Sequence, residues 1–259
     1  MLNSLKKLTK LTALFSAIIL LNACASSSEI NQQSALSYRQ EMTQMREQGV
    51  LDTSSTTAKR VNKVFQKMVP YANQENNTGQ VFNWEINVIK SNQLNAWAMP
   101  GGKMVFYTGL VDQLKLSDDE IAVVMGHEMA HALKEHGKKK VNMSQITGIF
   151  AQVAHIALST QIGSDASGLV IGVAKDWGLD KPYSRSNETE ADEVGLMLMA
   201  KAGYNPQAAP GLWVKMNQAT GSSNSALAGL MSTHPTNADR QKNLERLMPE
   251  AMALYQARN

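Results

Sequence analysis

The sequence predicts an α+β fold that is mostly helical, with one small β-sheet early in the chain. Apolar residues recur at helical spacing over much of its length, as in Val61, Val64, Phe65 and Met68. Strand-like alternation is confined to three short segments between Trp84 and Tyr107. Ser117 and Glu120 form a Ser-x-x-Glu pattern that marks a helix start upstream of a histidine pair. With 259 residues, 43% hydrophobic and 18% charged, the chain can bury a sizeable core, so disorder is not the default.

The N-terminus changes the class of the protein. Lys6, Lys7 and Lys10 precede a short apolar stretch, Leu11 to Leu21, that is too short for a permanent membrane span. It ends in Leu21-Asn22-Ala23-Cys24, which resembles a bacterial lipobox. Residues 1–23 are therefore expected to be a lipoprotein signal peptide, with Cys24 lipidated. Cys24 is the only cysteine, so the fold must stand without disulfides. Removing residues 1–23 takes away three lysines and no acid, which cancels the formal charge of +3. A mature chain of zero formal charge gives no reason to expect a nucleic-acid partner. Ala25 after the cysteine, rather than Asp, points to the outer membrane of the cell envelope, on the periplasmic side.

Ala25 to Ile30, with three serines in a row, reads as a flexible tether. Helix follows from Ser34 to Asn73, broken between Gly49 and Thr56, and Asn73 to Gly79 is a loop. Trp84 to Lys90, Asn95 to Met99 and Lys103 to Tyr107 are the strands, with Pro100-Gly101-Gly102 as the turn. The helix opened by Ser117 should run to Gly137. Val141 to Trp177 carries apolar stretches too short to cross a membrane and reads as a helical hairpin. Asn187 to Ala202, Pro206 to Gln218 and Asn237 to Gln256 complete the helices.

His127-Glu128-x-x-His131 lies within the helix that starts at Ser117. Residues four apart share a helix face about one turn (~6 Å) apart, so the two imidazoles can serve one metal ion. Glu128, beside the first of them, is placed to act as a general base. A hydrolytic zinc site needs a third protein ligand and an open position. Glu188 and Asp192, four apart on a later helix, are the best source. Glu188 would ligate the metal, and Asp192 would accept the outer N–H of a histidine ligand. Glu190 then points away, onto a solvated face. His136, five after His131, falls off the ligand face and reads as a cation at a helix C-terminus. His155 reads as a core or pocket histidine. Trp97 either lines a substrate subsite or packs against the active helix.

Together these motifs resemble the gluzincin zinc metallopeptidases that include the HtpX and CAAX prenyl proteases, in particular their periplasmic lipoprotein or soluble members of the LoiP and BepA type. Two further segments carry the resemblance: Asn95 to Gly102, similar to the edge strand and turn before the active helix, and Thr233-His234-Pro235 with Arg240. It extends from about residue 60 to 245. The resemblance implies a zincin-like minigluzincin core whose edge strand faces the active-site cleft, with one zinc ion (Zn2+) per chain. The expected organisation is a signal peptide (1–23), a tether with an N-terminal helical segment (24–57) and a zinc metallopeptidase domain (58–259).

The implied activity is that of a zinc metalloendopeptidase in protein quality control, cleaving extended or unfolded polypeptides, damaged envelope proteins among them. Metal ligands are His127, His131 and Glu188, and Glu128 is the catalytic base. His234 or Arg240 supplies a second electrophile, and Asn95 clamps the substrate backbone. In BepA-like relatives the equivalent of His234 instead fills the fourth zinc position, and both roles stay open here. The alternative is a largely latent peptidase that serves as an outer-membrane assembly or chaperone factor, with envelope proteases or assembly proteins as partners. Relatives of that kind often add helical repeats, for which a chain ending at Asn259 leaves little room.

Overall fold

The computed structural model describes residues 25–143, 182–220, 230, 233–235 and 237–258. Cys24, the signal peptide, His155 and nearly all of the apolar stretch expected as a hairpin lie outside them. No described helix is long and apolar enough to cross a membrane. The class is the expected one, mostly helical with one three-stranded sheet.

Helix α1 spans Ser27–Glu47. The serines expected to be a tether are its start: the Ser26 hydroxyl accepts from the Glu29 N–H while the Glu29 carboxylate accepts from the Ser26 N–H. Tyr38 fastens the helix to the sheet, its hydroxyl donating to the Met104 carbonyl at 2.7 Å and accepting from Asn87 Nδ2 at 2.9 Å. Around it Met42, Ile89, Trp97, Met99 and Val105 form a small apolar cluster. Trp97 therefore serves neither expected role. Side chains alternate along a strand, and Trp97 faces α1, edge-on to Tyr38 at 6.1 Å.

Helix α2 (Thr56–Glu75) buries Val61, Val64, Phe65 and Met68 in the main core, as its period predicts. Strands β1 (Glu85–Ile89), β2 (Ala96–Met99) and β3 (Lys103–Tyr107) follow in the order β1-β3-β2. β3 is parallel to β1 and antiparallel to β2. The segment around Leu51 pairs with Ile89 and covers the outer side of β1, so among the described residues β2 is the edge without a further strand, although its residues are buried. The turn from β2 to β3 passes through Gly101 and Gly102 at φ +78° and +82°, which residues with a side chain rarely adopt.

A short helix α3 (Thr108–Gln113) leads to α4 (Asp118–Leu133), which opens with the expected capping box at Ser117 and Glu120. It ends earlier than expected. Glu135 adopts φ +51°, the chain turns, and helix resumes as α5 over residues 136–143. Helices α6 (Arg185–Lys201), α7 (Ala208–Thr220) and α8 (Ala238–Gln256) complete the described chain. α6 lies across α4 and α8 packs on α6, which sets the functional side chains.

Candidate metal centre

His127 and His131 project from α4 and Glu188 from α6. All are buried, as are Glu128, Asp192, His234 and Arg240. One ligand atom each from His127, His131, Glu188 and His234 fall within 4.8 Å of one another. His131 Nε2 lies 3.1 Å from His127 Nε2, and both lie 3.4 Å from a Glu188 carboxylate oxygen. His234, on the turn before α8, brings its Nδ1 to 3.1 Å from both His127 Nε2 and Glu188 Oε1.

These distances fit a metal ion. Tetrahedral zinc with Zn–N bonds of about 2.0–2.1 Å separates its ligand atoms by roughly 3.3 Å. The donor chemistry agrees. His127 Nδ1 lies 2.9 Å from Asp192 Oδ1, an ionised carboxylate that can only accept, so Nδ1 carries the proton and Nε2 presents a lone pair. A lone pair crowded by two further imidazole nitrogens and a buried carboxylate calls for a cation between them.

α6 supplies the second half of the site because Glu188 and Asp192 share its inner face. Arg240 holds both: its Nε and Nη2 meet the two Asp192 oxygens at 2.6 and 2.8 Å, and Nη1 lies 2.8 Å from Glu188 Oε2. Nη1 also donates to the Pro235 carbonyl, and the guanidinium rests over the Trp213 ring at 4.5 Å. Its place at the start of α8 follows from the Asn237 cap, whose side-chain oxygen accepts from the Arg240 N–H. Burial opposes ionisation of Asp192, but Arg240 and His127 outweigh it and hold the carboxyl below its ordinary value. Burial likewise opposes ionisation of Glu188, and the three imidazoles overcome it.

Glu128 differs. Burial pushes its pKa up, with His234 and His127 opposing and Glu188 adding to the rise. Its Oε1 has no hydrogen-bond partner and lies 3.4 Å from His234 Nε2. The Ala98 backbone lies beside the same carboxylate and favours its ionised form. Asn95 O accepts from Tyr107 N–H, so the peptide groups of Trp97 and Met99 also point to β3, while those of Ala96 and Ala98 turn to the outer edge. The edge strand thus runs beside Glu128. Asn95 begins that edge, its Oδ1 accepting from Ala96 N–H at 3.0 Å.

Of the sequence candidates, the structure groups His127, Glu128, His131, Glu188, Asp192, His234 and Arg240, with Asn95 at the neighbouring strand. Three residues at the site escaped sequence reasoning or were misjudged. Tyr183 stacks on His131 with ring centroids 4.1 Å apart, and nothing in its local pattern announced it. His136, read as a helix-end cation, instead contacts His131, and Glu190, read as a solvated face, is half-exposed but contacts His136.

Comparison with known proteins agrees with this geometry. The sequence profile described as Peptidase family M48 matches residues 55–248. The mitochondrial metalloendopeptidase OMA1 of Schizosaccharomyces pombe is 37% identical over 168 residues, covering 65% of this chain and 48% of the relative. The metalloproteases LoiP and YcaL of Escherichia coli are 26% and 25% identical over 196 residues, covering 75% of this chain and 74% of each relative. The match thus spans about half the length of the OMA1 relative and about three quarters of the bacterial ones.

Proposed function

The chain belongs to Peptidase family M48, whose members are zinc metallopeptidases, and from that premise we propose that it is a zinc-dependent endopeptidase of extended polypeptide. One observation carries the reading: three buried side chains from two helices, His127, His131 and Glu188, converge at metal-ligand spacing beside the carboxylate of Glu128. Those three hold the zinc. When bound, it acts as a Lewis acid that activates water and polarises the scissile carbonyl.

The chain's own residues supply the rest. Glu128, with its raised pKa, takes a proton from the attacking water and returns it to the departing amine. Asp192 keeps His127 in the Nδ1–H tautomer, and Arg240 keeps Asp192 ionised and holds both Asp192 and Glu188 in place. Arg240 therefore acts through those carboxylates, and His234, beside Glu128, is the better candidate to stabilise the developing oxyanion. An extended substrate adds to the edge of β2, where the Ala96 and Ala98 carbonyls face outward and Asn95, whose Oδ1 already accepts from the Ala96 N–H, offers its side-chain NH2 to the substrate backbone.

A second reading rests on His234. Its Nδ1 stands within the ligand group, 3.1 Å from two of its members, which suits a fourth protein ligand that holds the enzyme latent. If His234 restrains the enzyme, His234→Ala raises proteolysis. If it stabilises the oxyanion, His234→Ala abolishes it.

The setting follows from the N-terminus. Residues 1–23 are a lipoprotein signal peptide and Cys24 is the lipidated anchor to the outer membrane, facing the periplasm. Residues 58–259 form the peptidase domain, and the substrates are unfolded or damaged envelope proteins. Cys24→Ser would move the protein from the membrane to the soluble fraction. The activity is tested with a loosely folded protein such as casein. Cleavage by the wild type that stops in Glu128→Gln, with zinc retained, supports the reading, and unchanged cleavage in that variant contradicts it.

A further inference from the structure

His131 is held on the side away from the ligand group as closely as His127 is. Its Nε2 faces His127 and Glu188, while its Nδ1 lies 2.9 Å from His136 Nδ1. His136 is fully buried, and its Nε2 lies 3.0 Å from Glu190 Oε2. On a continuous helix a residue five beyond His131 would point elsewhere. The left-handed Glu135 ends α4 and turns the chain, so that His136, the first residue of α5, comes back beneath His131.

Only one arrangement of protons suits these contacts. A metal on His131 Nε2 requires a lone pair there, so the proton sits on Nδ1 and is donated to His136 Nδ1. His136 Nδ1 then accepts, its own proton is on Nε2, and Glu190 accepts that proton. The opposite order would place a proton on His131 Nε2 and block the metal. Stacking on Tyr183, with the rings 25° from parallel, fixes the plane of the imidazole but not which nitrogen bears hydrogen.

We propose that His136 and Glu190 are a positioning pair that locks His131 in its metal-ready tautomer, as Asp192 and Arg240 lock His127. The proposal rests on the reading of His131 as a zinc ligand. The two histidine ligands are thus held by different devices: a carboxylate in direct contact for His127, and an imidazole backed by a carboxylate for His131. Outer partners of ligating histidines typically set metal affinity by about 10- to 100-fold.

The test is a zinc-affinity titration of the metal-free protein against a chromogenic chelator, joined to nitrogen-15 spectra of its histidines. His136→Ala should weaken zinc binding about 10- to 100-fold. His136→Asn should recover most of that loss, because its Oδ1 stands where Nδ1 stood and can accept the same proton. Glu190→Ala should give a smaller loss and Glu190→Gln less still. Glu190 has a side chain 40% exposed, so this pair of variants keeps the test open should His136→Ala fail to fold. Wild-type spectra should show His131 protonated on Nδ1. Wild-type affinity in His136→Ala, or His136→Asn no better than His136→Ala, would overturn the pair while leaving the metal site standing. A wild type that binds no zinc would overturn the metal reading and this inference together.

Discussion

Gly126 on α4 and Gly195 on α6 touch backbone to backbone beside the first histidine of the site. A Cβ on Gly126 would lie 2.6 Å from the Gly195 carbonyl oxygen, and one on Gly195 would lie 2.7 Å from the Gly126 carbonyl carbon. The atoms in the way are peptide groups of two helices and cannot swing aside. The close crossing brings Glu188 and Asp192 within reach of His127 and His131.

Gly195→Ala should therefore destabilise the protein although alanine is the better helix former. The intrinsic gain is about 1 kcal/mol, against overpacking costs of about 1–3 kcal/mol and more where backbone must move. Thermal unfolding should show a lower midpoint, and zinc affinity should fall with it because the ligands on α6 retreat. Gly211, with no atom near its missing Cβ, is the control: Gly211→Ala on α7 should be neutral or stabilising.

Arg240 joins both α6 carboxylates to the start of α8 in a buried setting. Arg240→Ala leaves Asp192 and Glu188 without their cation and should cost about 3–5 kcal/mol in unfolding free energy. Arg240→Lys keeps the charge but not the two-pronged contact with Asp192, so it should recover only part. Chemical denaturation measures this directly. A residue acting only on the reaction's transition state would lower kcat and leave the denaturation curve in place.

Tyr38 predicts how firmly α1 is seated. Tyr38→Phe removes the bond to the Met104 carbonyl and the acceptor for Asn87 Nδ2, and should cost about 0.5–1.5 kcal/mol for each bond lost. Hydrogen exchange should rise in α1 before it rises in α4, since the site itself draws nothing from that hydroxyl.

Glu120 carries a pH-dependent part of the stability. Burial opposes its ionisation, but the Lys215 ammonium and the Ser117 backbone outweigh this and hold its carboxyl below the ordinary value. A carboxyl lowered in the folded state stabilises fully above its unfolded pKa, and that contribution is lost as pH falls through the folded value. Glu120→Gln keeps the cap but cannot ionise. The stability difference between wild type and Glu120→Gln should be present above about pH 4.3 and close below it. Thermal melts at a series of pH values read this out.

The site was legible where spacing along one helix dictates geometry. His127 with His131, and Glu188 with Asp192, are pairs four apart whose shared faces follow from helix dimensions alone. The Ser117 cap and the confinement of the sheet to residues 85–107 were legible for similar local reasons. Glu135, a glutamate in a left-handed conformation, has no local signature, so α4 read as continuous and His136 fell on the wrong face. The serines after Cys24 read as a tether by composition, whereas Glu29 three residues on makes the cap that starts α1. Gly126 and Gly195 gain their meaning only from each other, across two helices. Tyr183 reaches His131 through a tertiary contact that no period encodes.

A single zinc ion held by His127, His131 and Glu188 is the centre of the proposed chemistry. Elemental analysis of the purified protein, with Glu128→Gln and Glu188→Ala beside it, tests this most directly. The expected result is about one zinc per chain in the wild type and in Glu128→Gln, and a large loss in Glu188→Ala. A wild type without stoichiometric metal, or full zinc content in Glu188→Ala, would contradict it.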